Sequence, residues 1–261
     1  METKNREKNT NQLSLQLFCV KTAKSILPIL FWLLVWQALA MLVNHEYFLP
    51  DVFTTFKTLF ALLCTGVFWR SALLTLCRVI AGLVIGTALG VVLAILANEL
   101  SWVRALLSPA ISVIKATPVA TFIVILWIMM SGNALSILIA VLMVMPIVWQ
   151  NLLDAFGAID KDLIEMASVF EFSYKKRLKL IIFPTLLKFL LPALVTATGL
   201  AWKSEIAAEI IAYTKNSIGQ QINDAKYYLE TPLVFAWTIV IIVCSICLER
   251  LMKYLLSRCK I

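Results

Sequence analysis

Apolar residues in this chain gather into long unbroken runs, without the two-residue alternation of a half-buried strand or the interrupted stripe of a soluble helix. Uncharged runs cover residues 25–44, 79–98 and 231–248. A helix crosses the ~30 Å hydrocarbon layer of a membrane with about 20 mostly apolar residues, so each run predicts one span. Residues 116–153 form a 38-residue uncharged run, about 57 Å as a helix at ~1.5 Å per residue and too long for one crossing. Ser131-Gly132-Asn133 divides it into two spans joined by a tight turn. Residues 180–202, interrupted only by Lys188, complete a set of six predicted spans.

Between the fourth and fifth spans the pattern changes. Asp160 to Pro184 is polar, basic and helix-forming. Asp162-x-x-Glu165 fits a capping box, so a short helix is expected to start at Asp162 or two residues earlier. Leu163, Met166, Ala167 and Phe170 then share one side, a small apolar face suited to a protein cleft. Ser173 is placed to cap a second short helix, in which Lys175, Lys176, Arg177 and Lys179 run toward lipid headgroups. Two angled helices rigidly continuous with a span make a lever; an ordinary basic interfacial loop is the plainer alternative.

Elsewhere, Leu49-Pro50-Asp51 opens an amphipathic stretch to Gly66, with Asp51 as its cap. Gly82, Gly86 and Gly90 recur at every fourth position, with Ala94 continuing the row. That spacing lines one helix face with small residues and lets another helix approach closely. Pro118, Pro146, Pro184 and Pro192 fall in or at the ends of spans and are expected to kink them. Lys115 precedes the Pro118 break inside the expected third span, where it either snorkels to the interface or lines a wet cavity.

Composition agrees with the runs: 61% of residues are hydrophobic, 15% are charged, and the mean hydropathy is +0.91. The net charge of +8 changes the picture through its distribution. With a cytoplasmic N-terminus, fifteen Lys and Arg residues lie inside and only Lys57, Arg70, Lys215 and Lys226 outside; the reverse orientation violates the positive-inside rule. The charge therefore reads as topology and headgroup contact, and no nucleic-acid role is expected. A basic leader, an apolar stretch and Ala38-Leu39-Ala40 have the outline of a signal peptide, but the run is about twice the usual length. An uncleaved first span is expected.

The chemistry-bearing residues point away from catalysis. Cys244 and Cys247 form a C-x-x-C inside an apolar helix without a second pair, which favours packing over metal or redox use. His45 is the only histidine and is expected in a surface loop. No G-x-x-x-x-G-K-[ST], G-x-S-x-G or H-E-x-x-H motif occurs. Neither an enzyme nor a metal site is expected, and any nucleotide hydrolysis must come from another polypeptide.

Glu165-Met166-Ala167, the break near Glu171 to Ser173 and Ile181-Ile182-Phe183-Pro184 resemble the cytoplasmic "EAA" loop of ABC-importer permeases. Ser71 to Val79 resembles the approach to the second span in nitrate-, sulfonate- and taurine-type permeases. Leu126-Trp127, Pro146, Gly199-Leu200-Ala201-Trp202, Ala208-Glu209 and Gly219 extend the likeness over about residues 49–254. The family loop reads E-A-A-x-x-x-G; here Met166 stands at the first alanine and Glu171 at the glycine, where a left-handed bend strains a glutamate.

The resemblance implies an all-α polytopic membrane protein with the type I ABC-importer permease fold. It divides the chain into a cytoplasmic N-terminal segment (1–24), a six-span domain (25–256) with a coupling loop (156–180), and a cytoplasmic tail (257–261). It implies a multi-pass plasma-membrane subunit without cofactor, since ATP is bound by a separate cytoplasmic ATPase. Two copies of the permease would form the pathway, fed by an extracellular or periplasmic substrate-binding protein. The coupling loop would act through Glu165, Met166, Ala167, Phe170, Glu171, Ser173 and Pro184. The expected cargo is a small organic anion or oxyanion such as a sulfonate, taurine or nitrate. A thiamine-precursor-like nutrient, or the membrane subunit of an energy-coupling-type vitamin importer, is the alternative.

Lys115, Pro118, Lys203, Glu205 and Glu209 are the candidate pathway or gate residues. Glu205 and Glu209, four apart, share a helix face as like charges. Lys203 lies about 200° and 240° around the helix from them, at ~3.6 residues per turn, and cannot readily neutralise either. The trio is therefore expected at a gate and outside any structural ion pair, seeking partners from another helix, a second copy, a binding protein or water. The alternative ends the span at an interfacial Trp202 and leaves all three solvated.

Overall fold

The computed structural model describes residues 27–258, apart from Asn44, Glu46 and Ser131. The N-terminal segment 1–24 and the last three residues of the 257–261 tail lie outside the described residues. Every regular element described is a helix: α1 (Leu27–Val43), α2 (Val52–Leu63), α3 (Gly66–Glu99), α4 (Ser101–Ala116), α5 (Val119–Met129), α6 (Asn133–Gly157), α7 (Lys161–Val169), α8 (Tyr174–Arg177), α9 (Phe183–Ile211), α10 (Ile218–Tyr227) and α11 (Thr231–Arg258), with a π turn at Leu178–Ile182 between α8 and α9.

Four helical segments are long and apolar enough to cross a membrane: α3, α6, the continuous Tyr174–Ile211 segment and α11. The expected third span is not a straight crossing. Its sequence is shared between α4 and α5, which meet at Thr117 and Pro118 with a bend of 105° and make at most one further span. Pro118 has no N–H to continue the ladder and disfavours helical geometry at the residue before it. Lys115 sits exposed in the last turn of α4, two residues before Thr117 at the bend. Within the expected first span the described residues form the apolar helix α1, Leu27–Val43.

The core is a three-helix slab of α3, α6 and α9, with α11 laid against α9 and α2. The glycine row makes the α3–α6 contact. Gly82, Gly86 and Gly90 face Ala140, Val144 and Val148 at the same four-residue spacing on α6. A Cβ added at Gly86 would lie 2.8 Å from the Val144 Cβ, and one at Gly90 would lie 2.9 Å from the Met145 carbonyl oxygen. Only glycine permits that approach. Trp202 and Trp237 fill the seam between α9 and α11; the Trp202 indole donates to the Ile241 carbonyl at 3.2 Å, and Trp237 stacks on Phe68 at 5.5 Å. Trp202 is therefore core and does not mark an interfacial end of its span.

The second and fifth spans are longer than their uncharged runs. α3 begins at Gly66, thirteen residues before Val79, and α9 continues nine residues past Trp202. Both extensions carry charged residues into the bundle, namely Arg78 on α3 and Glu205 and Glu209 on α9, whereas Lys203 on α9 stays exposed. Asp51 caps α2 as expected, accepting from the Phe53 and Thr54 amides at 3.1 and 3.2 Å. Hydrogen bonding centred on Thr54 holds its carboxyl below the ordinary aspartate value.

Candidate functional site

Two chemically distinct regions lie at opposite ends of α9. At the α10 end, Glu209 is fully buried. Its carboxylate accepts from the Arg78 guanidinium at 2.7 Å, the Thr75 hydroxyl at 2.8 Å and the Gly219 amide at 3.2 Å. Arg78 also donates to the Asn133 side chain and the Lys215 carbonyl, each at 3.1 Å. The Thr75 hydroxyl in turn accepts from the Ile218 amide at 3.1 Å. A side-chain network thus ties together α3, α6, α9, the turn after α9 and the start of α10. Gly219 is required here because an added Cβ would lie 2.6 Å from the Ile210 nitrogen.

This geometry corrects the expectation that the charged trio avoids a structural ion pair. Glu209 forms a buried salt bridge with Arg78, the only one among the described residues. Glu205 is also fully buried, beside Glu209, and neither of its carboxyl oxygens has a hydrogen-bond partner among the described residues. The solvated-end alternative therefore fails for both glutamates. Lys203 alone is exposed. Sequence reasoning noted Arg78 only within the resemblance and gave it no role. Its signal was a lone arginine three residues after Thr75, immediately before a long apolar run.

At the other end, Asp160 caps α7, its carboxylate accepting from the Asp162 amide at 2.9 Å. The N-cap is Asp160, two residues ahead of Asp162, and the helix starts at Lys161, so the Asp162–Glu165 pair does not act as its capping box. The turn after α7 bonds as a Schellman motif: the Phe172 amide reaches the Ala167 carbonyl at 2.8 Å, and the Glu171 amide reaches the Ser168 carbonyl at 3.0 Å. Glu171 takes the left-handed position of that motif at φ 51°. The left-handed position of this turn is thus taken by a glutamate, at a steric cost of roughly 1–2 kcal/mol. Arg177 donates to the Phe172 carbonyl at 3.3 Å, and the Lys176 ammonium lies 3.8 Å over the Phe172 ring.

The apolar side chains of α7 divide between two environments. Ala167 is sealed within its own chain, which corrects the expectation that it faces a partner's cleft. Leu163, Met166, Val169 and Phe170 are exposed, Phe170 to 67%. Glu165 is exposed beside them. Ser173 occupies the N-cap position of α8 but makes no side-chain cap bond. From Tyr174 the chain is helical through to Ile211. The π turn, closed by the Phe183 amide to the Leu178 carbonyl, carries the helix up to Pro184 in the first turn of α9.

Residues 86–261 match the family described as "Binding-protein-dependent transport system inner membrane component". The chain belongs to this family. It is a multi-pass inner-membrane permease component of ABC importers, not an enzyme, with the resemblance to the nitrate/sulfonate/taurine branch upheld. A relative named as a putative aliphatic sulfonates transport permease, SsuC of Bacillus subtilis strain 168, is 27% identical over 209 residues, covering 79% of this chain and 75% of the relative. The riboflavin transport system permease RibX of Chloroflexus aurantiacus is 26% identical over 214 residues, covering 80% and 79%. A solved amino acid ABC transporter matches with a TM-score of 0.61 at 17% identity, covering 74% of this chain and 94% of that one, a likeness of fold.

Proposed function

We propose that this permease lines the membrane passage of an importer and is driven through α7 by a separate cytoplasmic ATPase that binds the ATP. The observation that carries the reading is the amphipathic α7. Its Met166, Phe170 and Leu163 side chains are exposed, yet it sits on a basic segment unsuited to hydrocarbon. The continuous Tyr174–Ile211 helix connects that surface with the Glu209 network, so a displacement of α7 can reach the opposite end. The cation distribution supports a cytoplasmic α7 and an external α10. A second copy of the chain and an external substrate-binding protein complete the assembly that the family resemblance implies.

The proposed cargo is a small organic anion such as a sulfonate, supported by the sulfonate relative. The riboflavin relative favours a nitrogen heterocycle as the second reading. Exposed Lys203 is the proposed pathway residue on α9, with Lys115 and the Pro118 bend on α4–α5. Glu205 and Glu209 are assigned to holding the α10 end closed. The docking claim is tested by co-purifying the cognate ATPase with a Met166→Asp, Phe170→Asp variant. Two charges in an apolar contact cost up to several kcal/mol if they stay unpaired, so ATPase recovery is expected to collapse at normal membrane levels. Undiminished recovery would remove α7 as the dock.

A further inference from the structure

Beyond the buried network, the α10 end carries an open cleft of about 470 Å³. Ile210, Ile211, Tyr213, Asn223, Asp224, Tyr227 and Tyr228 line it. Its volume falls in the ~300–1,000 Å³ range of small-molecule sites. Tyr213 holds a left-handed backbone at φ 51°, unusual for a bulky residue. From there its hydroxyl donates to the Asp224 carboxylate. That bond, with the negative charge beside it, pushes the phenol above its ordinary value and keeps it a donor. Tyr227 and Tyr228 meet edge to face, ring centroids 5.6 Å apart. The turn that presents them is closed by the Glu230 amide to the Ala225 carbonyl at 2.8 Å, with Leu229 left-handed at φ 59°.

The one formal charge lining the cleft is negative. Asp224 has no salt-bridge partner among the described residues, and no lysine or arginine lines the cleft. α9 ends at Ile211 and α10 at Tyr227, so two helix C-termini add partial negative charge there. Tyr213, Tyr227 and Tyr228 line the cleft with phenol rings, whose faces carry the negative lobes of their quadrupoles. Asn223 directs one of its two amide N–H donors to the Ile210 carbonyl.

We propose that this cleft binds the ammonium group of a small organic cation, with Asp224 as counter-ion and Tyr213, Tyr227 and Tyr228 as the aromatic wall. Ring faces attract an ammonium within about 6 Å of their centroids, and the unpaired carboxylate supplies the balancing charge. The assignment concerns the permease alone and holds whatever solute crosses the membrane or drives the cycle.

The test uses the full-length chain in lipid nanodiscs and radiolabelled tetramethylammonium in equilibrium dialysis. Saturable binding is expected with Kd on the order of 1 mM, and neopentyl alcohol, a neutral molecule of similar shape, is not expected to compete. Asp224→Asn keeps an acceptor for the Tyr213 hydroxyl while removing the charge, and is expected to weaken binding about tenfold. Tyr228→Leu keeps bulk but removes the ring, and is expected to weaken binding at least about threefold. Both variants are read only as monodisperse, normally inserted protein. No saturable binding to the parent chain would overturn the proposal, as would unchanged binding in both variants. Binding of an acetylated, amidated Gly-Lys-Gly peptide without any binding of tetramethylammonium would overturn the small-molecule assignment.

Discussion

Arg78 and Glu209 show how one ion pair can organise an end of a bundle. The guanidinium spans three directions at once, reaching α9, the Asn133 side chain and the Lys215 carbonyl. A lysine, with a point charge on a flexible stem, cannot reproduce that fork. Removing one partner of a buried pair leaves an uncompensated charge, at about 3–5 kcal/mol. Arg78→Met is therefore expected to lower the thermal unfolding midpoint in detergent, with Arg78→Lys intermediate and the exposed Lys203→Met near the parent. Equal midpoints for Arg78→Met and Lys203→Met would contradict the account of this network. The need for a partner was legible in the sequence, because Glu205 and Glu209 share one helix face four residues apart. The identity of the partner was not, because Arg78 lies 131 residues away and its charge ends the apolar run that marks the second span.

Helix packing was legible to a different depth. The four-residue glycine row on α3 announces a close contact, but the sequence does not say that Ala140, Val144 and Val148 of α6 are what it meets. Gly86→Leu would place side-chain atoms where the Val144 Cβ already stands, whereas Leu89 is exposed. Gly86→Leu is expected to abolish recovery of folded permease by fluorescence-detected size exclusion, and Leu89→Ile to leave it intact. Comparable recovery of the two would mean that the row does not set the α3–α6 distance. Pro118 signalled a break in the third span, yet the 105° angle between α4 and α5 depends on packing that no local pattern records. In the turn after α7, Glu171 is left-handed, and two backbone bonds close the turn around it.

Across the whole molecule, the connection between the two ends is a single helical path from Tyr174 to Ile211. One end carries the exposed apolar face of α7; the other is anchored by Glu209 and borders the tyrosine-lined cleft. The polar Asp160 to Pro184 segment made the first end readable, since its composition is unsuited to hydrocarbon. The division of α7 into a sealed Ala167 and an exposed Met166 and Phe170 was not readable, because neighbouring apolar residues carry no mark of which one their own chain covers. The direct test is site-specific crosslinking in the assembled transporter. With all six cysteines replaced, a single cysteine is introduced by Phe170→Cys or by Tyr228→Cys. The account predicts a crosslink to the ATPase from position 170 and none from position 228. A crosslink from 228 with none from 170 would contradict both the docking role of α7 and the orientation of the bundle.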